Sequence, residues 1–211
     1  GEILAITFTN KAAAEMRERI EEMIGPRARY MWISTFHSAC VRILRSEAKT
    51  LGLRSSFSIY DAADSQRLMA MVARELDLDP KRINPKVISR KVSDLKNELV
   101  DPDDYAKTVS ENDPFEHAVA QCYTRYQQRL REAHALDFDD IIMMTVTMLQ
   151  AFPEIAEHYR RRFRHILVDE YQDTNHAQYR LVRQLTGAPG EPPGVETEGG
   201  QLTVVGDSDQ S

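Results

Sequence analysis

Residues 166–170 read Ile166-Leu167-Val168-Asp169-Glu170, three apolar side chains followed by two carboxylates. A short apolar run ended by polar residues is the pattern of a strand buried on both faces of a parallel sheet. Such a strand delivers its last side chains to the sheet's carboxyl edge. Working outward, the strand begins at His165, and residues 175–185 carry a helical pattern. Residues 187–200, with their Gly, Pro and three Glu, form a loop. Leu202-Thr203-Val204-Val205 is a further apolar strand that runs into Gly206-Asp207-Ser208-Asp209-Gln210. The start of the chain has the same grammar. Ile3-Leu4-Ala5-Ile6-Thr7-Phe8 is a buried strand, Asn10 is a plausible helix cap, and Ala13, Met16, Ile20, Met23 and Ile24 share a helical face until Gly25-Pro26 stops it. Met31-Trp32-Ile33-Ser34 is a second strand, followed by a helix through Val41, Leu44 and Ala48 that closes at Gly52.

The middle of the chain differs. Asp61 caps a helix through Leu68, Met71, Val72 and Leu76. Asn84-Pro85 opens another with Ile88, Val92, Leu95 and Leu99 on one face, since Pro at the first helical position after an Asn cap is a start signal. Asp113-Pro114 repeats the device ahead of Phe115, Val119, Cys122, Tyr126 and Leu130. Asp137 caps a helix over 138–150, and Pro153 starts a last short one to about Arg162. Residues 61–162 thus read as nearly all helix, with no convincing strand. The fold class is α/β, a partial parallel sheet with a large all-helical insertion. The divisions fall at 1–60, 61–162 and 163–211.

Composition sets the outer limits. The chain has 211 residues, 42% hydrophobic and 28% charged, which suits a globular protein and excludes a collagen-like or disordered one. No stretch approaches the ~20 apolar residues that span a bilayer, and no basic region opens the chain, so neither membrane nor signal peptide is expected. Cys40 and Cys122 have no Cys or His at ligand spacing. A cytoplasmic protein without zinc or disulfides is the expectation. The net charge of −6 argues against simple coating of nucleic acid, but the distribution is uneven. Residues 1–54 hold nine Lys/Arg against six Asp/Glu, while 101–140 hold four against ten and 169–211 two against eight.

Several stretches can carry chemistry. Asp169-Glu170 at a strand end is a Walker B pattern. Asp169 suits Mg²⁺, a hard cation that needs oxygen ligands, and Glu170 suits the activation of a water that attacks a γ-phosphate. Gln210, on a neighbouring strand end, carries an amide that both donates and accepts. Thr7-Phe8-Thr9-Asn10-Lys11 joins a strand to a helix start, where hydroxyls and free N–H groups hold phosphate and Phe8 supplies a stacking face. The run is not a GxxxxGK[ST] loop. Ser34-Thr35-Phe36-His37 repeats that design, and Phe138 in Leu136-Asp137-Phe138-Asp139-Asp140 is another aromatic at a helix start. For each, the competing explanation is a core aromatic behind a hydroxyl or carboxylate cap. The basic run Arg160-Arg161-Arg162-Phe163-Arg164-His165 reads first as a solvated helix end.

Taken together, these residues resemble the UvrD, PcrA and Rep family of superfamily 1 DNA helicases. "ILAITFTNKAAAEM" (3–16) resembles the family's motif Ia and "STFHS" (34–38) its motif Ib. "LDFDD" (136–140) resembles the motif near the end of domain 1B, "LVDEYQDTN" (167–175) motif II, and "VGDSDQS" (205–211) the first half of motif III. The resemblance implies a P-loop NTPase of RecA-like fold, with the α/β parts in domain 1A and the helices in inserted domain 1B. It implies ATP and Mg²⁺ as cofactors, and single-stranded DNA, DNA junctions and repair proteins as partners. The activity implied is 3′-to-5′ translocation in repair or replication. Glu170 and Gln210 would be catalytic, with Asp169, Glu170 and Gln210 on the nucleotide and Asp169 on the metal. Thr7, Phe8, Thr9, Asn10, Lys11, Ser34, Thr35, Phe36, His37 and Phe138 would contact DNA. The family's Walker A loop, the aromatic that follows motif III and the second motor domain with its arginine finger do not occur within these residues. The expectation is an excised piece of a longer protein, inactive on ATP by itself. Two alternatives stand beside this one: a helicase–nuclease of the RecB or AddA type, and a non-catalytic module that binds DNA or a partner.

Overall fold

The computed structural model describes residues 1–187 and 201–205. In chain order the elements are β1 (Ile3–Thr7), α1 (Asn10–Ile24), β2 (Trp32–Thr35), α2 (Phe36–Ser46), β3 (Ser58–Tyr60), α3 (Ala62–Glu75), α4 (Pro85–Asn97), α5 (Pro102–Thr108), α6 (Pro114–Glu132), β4 (Ala135–Asp137), α7 (Phe138–Ala151), α8 (Pro153–Arg162), β5 (His165–Asp169), α9 (His176–Thr186) and β6 (Gln201–Val205). Short 3₁₀ turns occupy Gly25–Tyr30 and Tyr171–Asp173.

The apolar runs pair as the sequence pattern requires. β2, β1, β5 and β6 lie in that order in one sheet, and every neighbouring pair is parallel. Thr7 stands opposite Thr35, Ile6 opposite Val168, and Asp169 opposite Val205. Motifs far apart in sequence therefore end in one row at the carboxyl edge. The inner strands β1 and β5 are apolar because both faces are covered. Leu4, Ala5, Ile6, Ile166 and Val168 are buried, as are Ala39, Cys40, Ile43 and Leu44 of α2 and Ala177, Leu181, Val182 and Leu185 of α9. Trp32 packs edge-on against Phe163 with ring centroids 4.9 Å apart, and the guanidinium of Arg42 lies 3.8 Å from the Trp32 ring centre. Both cysteines are free and buried.

Two compact units emerge: Gly1–Leu44 with Met144–Ser211, and Arg45–Met143. The divisions fall inside α2 and α7, whereas the sequence pattern placed them at 60 and 162. The second unit is built on α3, α4 and α6, whose Leu68, Met69, Val72, Ile88, Val92, Val119, Tyr123 and Leu130 form one core.

Four local expectations are corrected. Residues 61–162 are not free of strand: β4 pairs in parallel with β3, Tyr60 opposite Asp137. Three residues are too few to show an alternation. Helix α5 begins with Asp101-Pro102, the same device as the helices flanking it, and was unread because it is only seven residues long. Leu99 lies beyond α4 in a left-handed conformation (φ 60°). The apolar face of α1 ends at Ile20, because Met23 is 82% and Ile24 46% exposed. A 15-residue helix spans about 22 Å and a five-residue strand about 17 Å, so the last turn overhangs the sheet.

The cap of α1 is Thr9, not Asn10. Thr9 has extended backbone and its hydroxyl accepts from the Ala12 N–H at 3.1 Å. Such a cap is worth about 1 kcal/mol. Thr9→Ala should lower stability by that amount and Asn10→Ala by less than half of it, read as urea midpoints at unchanged slope. Equal losses would return the cap to Asn10.

Candidate functional site

At the carboxyl edge of the sheet, the side chains singled out by sequence divide into displayed and enclosed. Thr9, Asn10 and Lys11 are exposed, and Phe8 and His37 are half-buried. Thr7 and Thr35 are buried and already engaged. The Thr7 hydroxyl donates to the Thr9 carbonyl at 3.2 Å, and Thr35 Oγ1 accepts from the Ser38 N–H at 3.1 Å as the cap of α2. Phe36 is a core side chain, 1% exposed, rather than a displayed one. Its ring sits 5.3 Å from that of Phe8, so the buried ring supports the half-buried one. Hydroxyl–aromatic spacing at two strand ends does not reveal which aromatic faces inward. The Oγ of Ser34 is enclosed without a hydrogen-bond partner among the described residues.

Asp169 and Glu170 are adjacent but differently placed. Asp169 ends β5 and is half-buried, while Glu170 is exposed with φ 54° and ψ 45°. A left-handed backbone is uncommon for a residue with a Cβ, and strain of this kind concentrates at functional positions. Here it turns the second acid out of the line of the strand. The turn is locked by the Asp173 N–H donating to the Glu170 carbonyl at 3.0 Å and by the Thr174 hydroxyl donating to the Tyr171 carbonyl at 2.8 Å. One or two carboxylates at an open edge suit Mg²⁺, which keeps several waters and takes further oxygens from phosphate. No group of three His, Cys, Asp or Glu side chains that could hold a metal occurs among the described residues. Gln210 lies outside the described residues.

The second unit carries a feature that sequence reading missed. Lys96 of α4 is fully buried. Its ammonium donates to Asp137 Oδ2 at 2.7 Å and lies 2.9 Å from Asp140 Oδ1. Tyr126 donates its hydroxyl to Asp137 Oδ2 at 2.8 Å, and Gln127 Nε2 donates to Asp140 Oδ1 at 3.2 Å. The two acids also close a reciprocal cap at the start of α7. The Asp140 N–H donates to Asp137 Oδ1 at 2.8 Å, and the Asp137 N–H to Asp140 Oδ2 at 3.1 Å. Asp137 is thus a cap, as its position before the helix suggested, and a partner of a buried cation as well. Between them Phe138 is 46% exposed. It lines a cleft with Ser65, Lys86, Ser89, Arg90 and Tyr126. The available signal was a lysine beside Leu95, one turn after Val92 on an otherwise apolar helix face.

Burial penalises every charge in this cluster, and the balance differs from group to group. Burial works against the Lys96 ammonium, but the charges of Asp140 and Asp137 outweigh it and hold its pKa above the usual lysine value. Burial likewise works against the Asp137 carboxylate, and the charge of Lys96, with hydrogen bonds from its ammonium, the Asp140 N–H and the Tyr126 hydroxyl, reverses that, leaving it below the usual range. Asp140 is pushed up to about 6, chiefly by burial and further by the charge of Asp137, against the pull of Lys96.

Comparison with known proteins gives one consistent result. The model of the UvrD/REP helicase N-terminal domain family matches residues 1–211. The chain is 61% identical, over its whole length, to the ATP-dependent DNA helicase UvrD1 of Mycobacterium tuberculosis. It is 46% identical over 99% of its length to the ATP-dependent DNA helicase PcrA of Bacillus subtilis, and 44% identical over 99% to PcrA of Staphylococcus aureus. It spans about a quarter of the length of these relatives, 27% in each case.

The raised Asp140 makes a pH prediction. A carboxyl whose folded pKa (about 6) exceeds its unfolded value favours folding in its protonated form. Its contribution is complete below the unfolded value of ~3.9 and is lost as pH rises through about 6. From pH 5 to 7.5 the chain should lose roughly 1 kcal/mol through this group. Asp140→Asn should remove that part of the pH dependence. Denaturant midpoints of both proteins at the two pH values measure it, and an equal loss in the variant would contradict the assignment.

Proposed function

The chain belongs to the UvrD/REP helicase N-terminal domain family, and on that premise we propose that it forms part of the motor of an ATP-driven 3′-to-5′ DNA helicase. The observation that carries this reading is the strand register. It sets the end of β5, with Asp169 and Glu170, beside the end of β1 and in one row with that of β2 beyond it, with the hydroxyl–aromatic stretches at 7–11 and 34–38. An acidic pair and a polynucleotide-contacting edge on neighbouring strands are what a motor needs if phosphate chemistry is to move a strand. The relatives are named DNA helicases, and neither the helicase–nuclease nor the non-catalytic module is favoured.

In this proposal unit Gly1–Leu44 with Met144–Ser211 corresponds to domain 1A and unit Arg45–Met143 to domain 1B. Asp169 would hold Mg²⁺, directly or through water. The metal, when bound with ATP, neutralises charge that develops on the phosphates. Glu170, turned outward by its left-handed backbone, orients a water and accepts its proton. Gln210 keeps the role that its motif suggests, sensing the γ-phosphate. Phe8 offers a ring to an unpaired base, backed by Phe36, and Lys11 and the exposed start of α1 meet phosphate. Phe138 offers a second ring on the other unit. The DNA is single-stranded or at a junction, repair proteins are partners, and the setting is cytoplasmic. No helix among the described residues is long and apolar enough to cross a membrane.

The two acids should separate on mutation of the full-length protein. Glu170→Gln keeps the shape but cannot accept a proton, so turnover should fall ~10²-fold or more while nucleotide affinity changes less than ~10-fold. Asp169→Asn should weaken Mg²⁺-dependent nucleotide binding. Titration with a fluorescent ATP analogue, alongside phosphate release, measures both. Equal loss of binding in the two variants would overturn the assignment of roles.

A further inference from the structure

The Phe138 ring is 46% exposed, so burial alone does not hold it in place. Something else must fix the backbone that carries it if the ring is to be presented in one orientation. The residue before it, Asp137, and the residue two after it, Asp140, both reach the same ammonium, at 2.7 and 2.9 Å. That ammonium comes from α4, 41 residues away in sequence from Asp137. The same two carboxylates accept each other's backbone N–H groups across Phe138. Tyr126 of α6 fixes Asp137 from a third element. The strand-to-helix turn at 137–140 is thereby tied to α4 through one buried cation and to α6 through the Tyr126 hydroxyl.

We propose that Lys96 is a positioning residue for DNA binding, holding the turn between Asp137 and Asp140 so that Phe138 is presented to an unpaired base. The proposal rests on the reading above that Phe138 stacks on DNA. Lys96 itself is fully enclosed and touches no ligand. It acts by sparing the complex the cost of ordering the turn when DNA arrives. A cation used only to stabilise the fold would matter equally whether or not the ring is there. A positioning cation matters only through the ring.

The test is a double-mutant cycle in the full-length helicase that carries this chain. Binding of an oligothymidylate and the fluorescence of a 2-aminopurine-labelled single strand are measured for wild type, Phe138→Ala, Lys96→Met and the pair. Phe138→Ala should weaken binding by roughly 5-fold or more, the loss of one stacked base. Lys96→Met, assayed where circular dichroism shows it folded, should lose a similar factor and the same 2-aminopurine response. The pair should lose no more than Phe138→Ala alone. Tyr126→Phe removes one hydrogen bond from the same carboxylate without stranding a charge. It should give a smaller loss that also vanishes in the Phe138→Ala background, and it stands in for Lys96→Met if that variant does not fold. Wild-type affinity in folded Lys96→Met, or in Tyr126→Phe where that variant replaces it, would overturn the proposal. So would losses that add to that of Phe138→Ala. If Phe138→Ala alone changes nothing, the stacking reading fails, and the proposal falls with it for that separate reason.

Discussion

Parallel pairing constrains everything else in the sheet. β2, β1, β5 and β6 all run the same way, so each connection must cross the sheet and every strand ends at the same edge. The row through Thr7, Thr35 and Asp169 follows from that direction together with the strand register. The long detour from α2 to α7 leaves the sheet and returns without disturbing it, because β1 and β5 pair side by side although some 160 residues separate them. An insertion of this size is tolerated because closing a long loop costs only slightly more than closing a short one.

What the edge displays is decided by packing rather than by residue type. Phe8 and Phe36 occupy equivalent places directly after β1 and β2, yet Phe36 is buried and Phe8 lies partly open against it. In the helical unit the same problem, holding an aromatic ring in view, is met by electrostatics. Removing one partner from a buried ion cluster leaves an uncompensated charge that costs about 3–5 kcal/mol, so the Lys96–Asp137–Asp140 group is committed to its geometry. Asp140 is raised to about 6, chiefly by its burial, while Asp137 beside the same ammonium is lowered.

The legible parts of the fold were those with a strong local signal. β5 was read with its bounds at His165 and Asp169, because five apolar-to-acid residues between a basic run and a turn admit one interpretation. Helices α3, α4, α6 and α7 were found through Asp61, Asn84-Pro85, Asp113-Pro114 and Asp137, since an Asx cap satisfies free N–H groups whatever the tertiary context. β3 and β4 were missed because a three-residue strand exists only through its partner. Of the candidate site, the acids and the aromatics were visible by type. The inward turn of Phe36, the left-handed backbone of Glu170 and the burial of Lys96 depend on contacts between distant segments, and no local pattern reports them.

The central claim is that unpaired bases meet the displayed rings Phe8 and Phe138. Photo-crosslinking of a bromodeoxyuridine-substituted single strand, followed by mass spectrometry of the adducts, tests it most directly. Adducts should fall within residues 7–11 and 137–140. The exposed apolar residues Met23, Ile24 and Tyr30, where α1 runs back to the opposite edge of the sheet, offer a control surface at least as accessible as the two rings. Crosslinks confined to those residues, with none near Phe8 or Phe138, would contradict the account.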